Sequence, residues 1–552
     1  MMKLSIATPK LLQHIYKCRP LLILLGITLG SISLASANVE HNANWLVGLP
    51  AHEQAKLIAK QTIRSEELVV AYLNRIEKMD RKGPRVQAML SLNENAIAEA
   101  KQKDKEVQEG GTLGRLHGVV VVVKDNIDTS ELPTTAGSMA LIANNTKRDA
   151  PIIAKLKAEG AVILGKTNLS EWANFRDDDS ISGWSAVGGQ TRNPHSLDRT
   201  PCGSSSGSGA AIAAQFASLA IGTETNGSVI CPSTMNGIVG VKPTVGLLSR
   251  THIVPISVTQ DTAGPMTRNV KDAALMLTIM AGSDKNDPAT LHADSKKQNY
   301  VDLLEAPLKG KRVGVLRSTQ SKHPDIIAKF NEALKVLESQ GVTLVDINEL
   351  KTPDKFWDKS LKVLLIEFKH ELNKYLASTP KSVSTRNLQA LIDFNNKTPR
   401  QLVLFGQSLF IDAQSTEGYN EEYEALVEFL RQATRTNGID RMLRENNLDF
   451  LVSPSQTPAF LIDAVFGDSF PGGFAGAGWM AAIAGYPHVS VPMGDMRGLP
   501  LGLSFIGKAF DDGVLLNAAF QYEQASKKIL TPSFAQGPYD HASLQEATKA
   551  LK

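Results

Sequence analysis

Five consecutive valines, Val119 to Val123, followed directly by Lys124, constrain the fold of this chain more than any other stretch. A strand that is apolar on both faces must be covered on both faces, which is typical of a sheet between two layers of helices. Residues 311–318, 324–341 and 342–347 read as a strand, a helix and a second strand. The sequence therefore predicts an α/β fold with a large mixed central β-sheet covered by helices on both faces.

Other segments fill in this arrangement. Helices are predicted from Ser65, as N-cap, and from Pro151 to Gly160, where proline opens and glycine closes the element. The region from about 352 to 437 has helical, charged sequence without clear strands, so we expect either a helical cap over the sheet or a peripheral insertion. Further predicted elements are a short strand at 161–165, strands at 450–455 and 488–494 and a helix at 513–526.

The stretch PCGSSSGSGAAIAA, residues 201–214, crowds hydroxyls onto a glycine-rich loop. Such runs are usually flexible linkers. Here the run leads directly into the apolar, helix-favouring segment 210–222, which is typical of a buried core. A linker has no reason to enter a core, so we expect a structured loop at the start of a helix.

A second glycine-serine turn, TETNGS, ends at Ser228. A hydroxyl nucleophile needs a base, backbone N–H groups for the oxyanion, and a tight turn that brings them together. Gly227 allows close approach of the backbone to a substrate, and Asn226 is one of the few other residues that tolerate positive φ. The turn can therefore direct successive amides at one point.

The base for such a serine is less evident from the residues. No histidine lies near either serine loop in sequence, and the nearest, His195, stands among turn residues, although a distant histidine stays open. Lys124 ends the valine strand, where burial disfavours the ammonium form and lowers the pKa of the amine. The alternative is a structural lysine held in a salt bridge.

Taken in order, these segments resemble the amidase signature family, whose catalytic unit is a Ser–Ser–Lys triad. The similarity covers most of residues 60–285 and again 448–526. The matching blocks are VVVKDNID with TTAGS (134–138), GKTNLSEWANF (165–175), GGQTRNP (188–194), CGSSSGSGAA (202–211), TETNGSVICPSTMNGIVGVKPT (223–244), QDTAGPMTRNVKDAA (260–274), AGYPHVSVPMG (484–494) and GLPLGLSFIGKAFDD (498–512).

The resemblance implies the amidase signature fold and a role for each matching residue. Ser228 would be the acyl-forming nucleophile, Ser204 the bridging serine after a cis peptide bond, and Lys124 the base. The 24 residues between the two serines agree with the family's spacing. The resemblance further implies an oxyanion hole built from the backbone amides of Thr225, Asn226 and Gly227, and it requires no metal or organic cofactor. Ser205, Ser206 and Ser208 are then loop and helix-start residues.

Three positions in two of the matching blocks depart from the usual family pattern, and they bear on the substrate. Cys202 replaces the first of two glycines, Ser206 a common glycine, and Asn226 the glycine near the nucleophile. These blocks are most similar to the bacterial peptide amidase branch, which removes the C-terminal amide of peptides. The alternatives are a broad aliphatic or aryl amidase, the A-type component of a tRNA amidotransferase, which works in the cytoplasm with partner subunits, and a non-catalytic binding protein on the same fold.

The first 37 residues form a basic segment, an apolar run from Leu21 to Ala35, and small residues up to Ala37. This is the pattern of a secretory signal peptide, and the run is short for a membrane span. The sequence predicts an exported, periplasmic or secreted protein whose residues 38–552 form one amidase domain without stable membrane association. Cleavage removes four basic and no acidic residues, taking the net charge from +3 to −1.

The remaining composition limits the partners. The 59 basic and 56 acidic residues form no long block of one sign, which favours a small-molecule or peptide amide substrate over nucleic acid. The His and Cys spacings do not match a zinc site. Of the three cysteines, Cys202 and Cys231 remain after cleavage, and either two buried thiols or one disulfide is compatible with export. The sequence does not indicate an oligomeric state.

Overall fold

The computed structural model describes residues 44–470, 473, 475–541 and 544. Within them, the valine strand lies inside an eleven-stranded sheet of order β1-β3-β2-β6-β8-β7-β12-β13-β11-β9-β10. The strands are β1 (Met89–Leu92), β2 (Val120–Lys124), β3 (Val162–Thr167), β4 (Trp184–Ser185), β5 (Gly189–Gln190), β6 (Leu219–Glu224), β7 (Val239–Lys242), β8 (Thr262–Thr267), β9 (Arg312–Leu316), β10 (Thr343–Ile347), β11 (Phe450–Pro454), β12 (His488–Met496) and β13 (Leu499–Ile506). Strands β4 and β5 form a separate small ribbon.

The sheet is mixed, as expected. Strand β2 pairs in parallel with β3 and β6, and β9 pairs in parallel with β10 and β11. Between these two parallel parts, the strands β6, β8, β7, β12, β13 and β11 pair antiparallel in that order. The predicted strand–helix–strand unit therefore contributes the parallel pair β9–β10 at one end of the sheet, whereas the edge strand β1 at the other end pairs antiparallel with β3.

Helices cover both faces of the sheet. They are α1 (Ala51–Ala59), α2 (Ser65–Ile76), α3 (Ala96–Gln108), α4 (Pro151–Ala158), α5 (Ser206–Ala213), α6 (Ile230–Met235), α7 (Val270–Met280), α8 (Ala293–Lys296), α9 (Pro324–Ser339), α10 (Phe356–Ala377), α11 (Leu388–Lys397), α12 (Ser408–Ser415), α13 (Glu421–Arg431), α14 (Asp440–Glu445), α15 (Gly478–Ala484) and α16 (Asp512–Ser526). In the described ranges, no helix combines the length and the apolar character that a bilayer span requires.

The valine run shows why two layers are needed. Val119, Val121 and Val123 belong to the core that includes residues of α4, α7, α9 and α16. Val120 and Val122 belong to the opposite core, which includes residues of α2, α3 and α5. Because side chains alternate along a strand, a fully apolar run supplies both cores at once. All five valines are completely buried.

Two local predictions differ from the structure, and a third is not tested by it. Arg64, not Ser65, is the N-cap of α2, and the hydroxyl of Ser65 donates to the carbonyl of Gly118 instead. The apolar segment 210–222 is not one helix, since α5 ends at Ala213 and β6 begins at Leu219. The predicted signal peptide, residues 1–37, lies outside the described residues.

The region 352–437 is helical, with α10 to α13 and no strand among its residues. Apolar side chains of α10, α11 and α12 pack against Trp172, Phe175, Val254 and Ile256. Glu371, on α10, lines the same cleft as Ser204, described below. The region therefore forms a wall above the loops that carry the predicted site. The assignment of residues 38–552 to one domain stays a prediction.

Candidate active site

Two parallel neighbours, β2 and β6, bring the predicted residues to one edge of the sheet. Strand β2 ends at Lys124, and β6 ends at Glu224, directly before the second glycine-serine turn. The register pairs Val123 with Ile221. Since the carboxyl ends of parallel strands lie at the same edge, the lysine and the turn are adjacent in space although about 100 residues separate them.

Lys124 is completely buried and hydrogen-bonded only to uncharged groups. Its Nζ donates to Ser204 Oγ at 2.8 Å, to Thr223 Oγ1 at 2.9 Å and to the Thr223 carbonyl at 3.2 Å. No carboxylate of the described residues forms an ion pair with it. Burial lowers the pKa of the Lys124 ammonium to about 7, although the charges of Asp261 and Glu224 act in the opposite direction. Near neutral pH, this amine can therefore accept a proton.

A second buried lysine on the neighbouring strand shows the contrast. Lys166 Nζ lies 3.5 Å from Asp125 Oδ1, and both side chains are fully buried. It also donates to the hydroxyl of Thr134 at 2.9 Å. Lys166 thus has the salt bridge that was the structural alternative for Lys124, and Lys124 does not.

The first serine loop has the predicted form. The peptide bond between Gly203 and Ser204 is cis. A Cβ atom at Gly203 would overlap the hydroxyl of Ser170, which explains why glycine follows Cys202. Ser205 Oγ donates to the Thr223 carbonyl at 3.1 Å, and Ser208 Oγ donates to a β6 carbonyl at 3.0 Å. These hydroxyls hold the loop and the start of α5.

The second loop lies against the first. The Ser205 N–H donates to the Ser228 carbonyl at 3.1 Å, so the two loops share a main-chain hydrogen bond. The Ser228 hydroxyl is half-buried and has no hydrogen-bond partner within the described part of the chain, Ser204 included. Gly227 adopts a φ of +86°, whereas Asn226 stays outside the left-handed region. The structure thus joins Lys124 to Ser204 and leaves the hydroxyl of Ser228 unbonded.

The backbone N–H groups of this turn lack hydrogen-bond partners, and the three predicted donors are among them. The N–H groups of Thr225, Asn226, Gly227 and Ser228 have no partner among the described residues, and the N–H of Ser228 was not predicted. The Thr225 hydroxyl donates to Asp261 at 2.6 Å, which anchors the start of the turn.

Glu224 anchors the other end of the turn. Its carboxylate accepts from the N–H groups of Val229 and Ile230 at 2.8 and 3.0 Å. It immediately precedes the predicted oxyanion residues, yet nothing in its sequence neighbourhood distinguishes it from an ordinary strand-end residue. Only the folded turn shows that this side chain caps the first amides after the nucleophile.

The histidine nearest in sequence to the serine loops is bonded elsewhere. His195 is buried, and its Nε2 lies 3.0 Å from the carbonyl of Asn236. Burial lowers the pKa of His195 to about 4.

Thr223 is one of the residues that hold the side chain of Lys124, and its Oγ1 also accepts from Asn126 at 2.9 Å. In the described part of the chain, no group of three His, Cys, Asp or Glu side chains could hold a metal ion.

A disulfide joins the two serine loops. Cys202 and Cys231, 29 residues apart, are bonded with their Cα atoms 5.9 Å apart. Cys202 lies two residues before Ser204, and Cys231 lies three residues after Ser228. Of the two alternatives left by the sequence, the structure has the disulfide.

Two cavities reach these loops. The large cleft has a volume of about 750 Å³, and its lining includes Ser204, Thr223 and Thr225 together with residues of α10. The second cavity has a volume of about 440 Å³, and its lining includes Gly203, Asn226 and Gly227. We call it the acidic cavity because Asp177, Asp178 and Asp468 also line it. Volumes of this size are typical of sites for small ligands.

Comparison with known proteins agrees with this geometry. The profile of the Amidase family matches residues 67–516. A probable amidase of Arabidopsis thaliana is 36% identical over 490 residues, which cover 86% of this chain and 89% of that protein. The solved structure of native peptide amidase from Stenotrophomonas maltophilia is 42% identical, with a TM-score of 0.84, and the match covers 88% of this chain and 99% of that one.

A third relative comes from a different branch. The A-type component of the glutamyl-tRNA(Gln) amidotransferase of Thermoanaerobacter pseudethanolicus is 32% identical over 508 residues, covering 89% of this chain and 99% of that protein. The family profile spans most of this chain. The chain therefore belongs to the amidase signature family and is an enzyme that hydrolyses amide bonds.

Proposed function

We propose that this enzyme hydrolyses the C-terminal carboxamide of peptides and releases ammonia, with Ser228 as nucleophile, Ser204 as proton relay and Lys124 as base. One observation carries the proposal: Lys124 is buried without a carboxylate partner among the described residues and lies 2.8 Å from Ser204 Oγ. Such a lysine has a basic lone pair near neutral pH and one hydroxyl to which that basicity can be passed.

In the first step, neutral Lys124 takes the proton of Ser204 while Ser204 takes the proton of Ser228. The Ser228 oxygen forms a bond to the carbonyl carbon of the amide, whose π electrons move to its oxygen. Movement of the unbonded Ser228 hydroxyl toward Ser204 completes the relay, since catalytic hydrogen bonds often tighten only with substrate bound.

The tetrahedral oxyanion is then held by unpaired N–H groups of the turn, those of Thr225, Asn226 and Gly227 together with that of Ser228. Each donor of this kind contributes roughly 3–4 kcal/mol to lowering the barrier in comparable sites. Collapse of the intermediate breaks the C–N bond, and the proton held by Lys124 returns through Ser204 to the leaving nitrogen. Ammonia departs, and an ester on Ser228 remains.

Water completes the cycle. It attacks the ester carbon while its proton passes through Ser204 to Lys124, and the second collapse breaks the bond to Ser228 Oγ. Return of the proton to Ser228 regenerates the enzyme and releases a carboxylic acid. Every proton transfer in this scheme uses groups of this chain and the attacking water.

Similarity to the peptide amidase of Stenotrophomonas maltophilia supports a peptide amide as substrate. The large cleft beside Ser204 has space for several peptide groups. Similarity to the amidotransferase relative supports a second candidate function, that of an enzyme that releases ammonia for a partner protein.

We further infer that the protein is exported. The signal-peptide pattern of residues 1–37 supports export, as does the disulfide between Cys202 and Cys231, because such bonds persist in oxidising compartments. Mass spectrometry of periplasmic and secreted fractions should find a chain beginning at Asn38. Recovery of only the full-length chain in the cytoplasm would contradict export.

The substrate is tested by ammonia release from three kinds of compound: peptide amides, the same peptides with free C-termini, and simple aliphatic amides. Peptide amides should be hydrolysed with the highest kcat/KM, and Ser228→Ala should remove the activity. Ammonia only from aliphatic amides would refute the peptide assignment. Activity only with copurified partner proteins would favour the amidotransferase alternative.

A further inference from the structure

The acidic cavity adjoins the catalytic turn, and the mechanism above uses none of its carboxylates. Its wall includes Asn226 and Gly227 of that turn and Gly203 of the other serine loop. Both disulfide cysteines, Cys202 and Cys231, also line it. A group bound in this cavity would therefore lie next to the scissile bond.

Three carboxylates line the cavity, and no lysine or arginine among the described residues does. They belong to Asp177, Asp178 and Asp468, none of which forms an ion pair within the described ranges. Their hydrogen bonds come from uncharged donors: the Ser408 N–H to Asp177 at 2.8 Å, and the Ser182 N–H to Asp468 at 3.1 Å. Burial raises the pKa of Asp468, a cost that a bound cation would offset.

A buried histidine gives an independent sign of a ligand. His488 is completely buried and lines the same cavity. Its Nε2 lies 2.5 Å from Ser504 Oγ, and that hydroxyl donates its own proton to Ser455 Oγ at 2.9 Å. Nε2 must therefore carry the ring hydrogen, so Nδ1 is a hydrogen-bond acceptor. Burial lowers the pKa of His488 to about 3, which keeps the ring neutral.

This Nδ1 has no partner among the described residues. It lies on the ring edge beside Gly478, another residue of the cavity wall, where an added Cβ would be 3.1 Å away. Asn174 adds a second unmatched acceptor: its Nδ2 donates to Ser182 Oγ at 3.1 Å, while its buried Oδ1 has no described partner. Unpaired buried acceptors favour a ligand that brings N–H groups.

We infer that the acidic cavity binds a positively charged nitrogen group of the substrate, an ammonium or guanidinium, and so makes cationic amides the preferred substrates. The inference rests on the proposed function. The charged group is either the side chain of a lysine or arginine at the terminal amide or the α-ammonium of a short peptide amide. Both carry several N–H donors, which suit three carboxylates and the unmatched acceptors of His488 and Asn174.

Two substrate pairs test the inference and separate its two forms. N-acetylarginine amide is compared with N-acetylcitrulline amide, and alanyl-phenylalanine amide with its N-acetylated form. In at least one pair, the charged member should have a kcat/KM about tenfold higher than the neutral one. A ratio near one in both pairs would overturn the inference.

The carboxylates themselves are tested by Asp178→Asn combined with Asp468→Asn. This variant should lower the charged-to-neutral ratio about tenfold, toward one. Asp179→Asn is the matched control, because Asp179 is exposed on the same turn and outside the cavity wall. An equal change of the ratio in the control would show a general charge effect and refute a specific site.

Binding to the Ser228→Ala variant gives a readout that does not need turnover. Calorimetry should find the charged member of a pair bound about tenfold more tightly, and the two asparagine substitutions should abolish the difference. Equal binding of both members would overturn the cavity assignment even if peptide amides are hydrolysed. Selective binding without any turnover by the unaltered enzyme would instead refute the proposed function and leave the cavity assignment standing.

Discussion

Replacement of Lys124 by methionine separates a catalytic base from a structural lysine. Methionine keeps the length and the apolar stem of the side chain and removes the amine. The Ser204 hydroxyl loses its hydrogen bond to Lys124. Thr223 keeps other donors, since Asn126 Nδ2 donates to Thr223 Oγ1 at 2.9 Å and Ser205 Oγ donates to the Thr223 carbonyl at 3.1 Å. The substitution therefore leaves no buried acceptor of Thr223 unpaired.

The expected magnitude follows from the pKa of Lys124, which burial lowers from 10.5 to about 7. At about 1.36 kcal/mol for each pKa unit, ordering this lysine in the folded state costs about 5 kcal/mol at pH 7 and below. Loss of three hydrogen bonds offsets about 3 kcal/mol of that cost. Lys124→Met should therefore increase the free energy of unfolding by about 2 kcal/mol at pH 7.

The pH dependence is the sharper test. Between about pH 7 and 10.5, the unfolded chain binds one proton more than the folded chain, so the stability of the unaltered protein rises with pH. From pH 7.5 to 9.5 it should gain about 2–3 kcal/mol relative to the methionine variant, as measured by parallel urea unfolding. Amidase activity should fall by about 10²–10⁴ in the same variant.

Lys166→Met is the matched control. It leaves Asp125 buried and unpaired, so it should destabilise the protein by about 3–5 kcal/mol. The reasoning about Lys124 is refuted if Lys124→Met destabilises the fold like this control, or if the stability difference from the unaltered protein does not change with pH.

The proposed relay makes three further predictions. The kcat/KM for an uncharged amide should rise with pH and level off above an apparent pKa near 7, because only the neutral amine of Lys124 accepts a proton; a profile that is flat from pH 5.5 to 9 would contradict this. Ser228→Ala should lower kcat by about 10⁴-fold or more and Ser204→Ala by about 10²–10⁴-fold, with unchanged circular dichroism. Near-full activity of Ser228→Ala would exclude Ser228 as the nucleophile. Joint replacement of Cys202 and Cys231 by serine should lower the free energy of unfolding by about 3–4 kcal/mol, as expected for a cross-link across 29 residues; an unchanged urea midpoint would show that the bridge is not formed in solution.

The sequence predicted the parts of the fold in which local pattern and long-range packing agree. The valine run could belong only to a strand covered on both sides, and the structure places alternate valines in two cores. The prediction that the whole segment 210–222 favours a helix was wrong because local pattern and long-range packing disagree there. Its alanines are apolar and helix-favouring, but tertiary pairing with β2 and β8 turns residues 219–224 into a strand.

Some residues of the candidate site were predicted from local motifs, and others were evident only from the folded structure. Lys124, Ser204 and Ser228 could be named from ordered motifs, because each motif is local in sequence. Glu224 and Asp261 could not, since their importance lies in which backbone or hydroxyl group the folded turn brings to them.

The two lysines at the ends of β2 and β3 show a further limit of sequence. Lys124 and Lys166 both lie in buried strands, and no local pattern tells which one is paired. Only the packing of Asp125 against Lys166 decides it.

Helix α5 and strand β6 separate the two serine loops along the chain, and a proton relay between the loops requires that they stay close together. Three independent connections meet this requirement: the N–H of Ser205 to the carbonyl of Ser228, the hydroxyl of Ser205 to the carbonyl of Thr223, and the disulfide. The hydrogen bonds belong to the turn itself and persist under any redox condition. The disulfide acts one step further out, on residues that line the acidic cavity, so its reduction would loosen substrate binding before it disturbs the contact between Lys124 and Ser204.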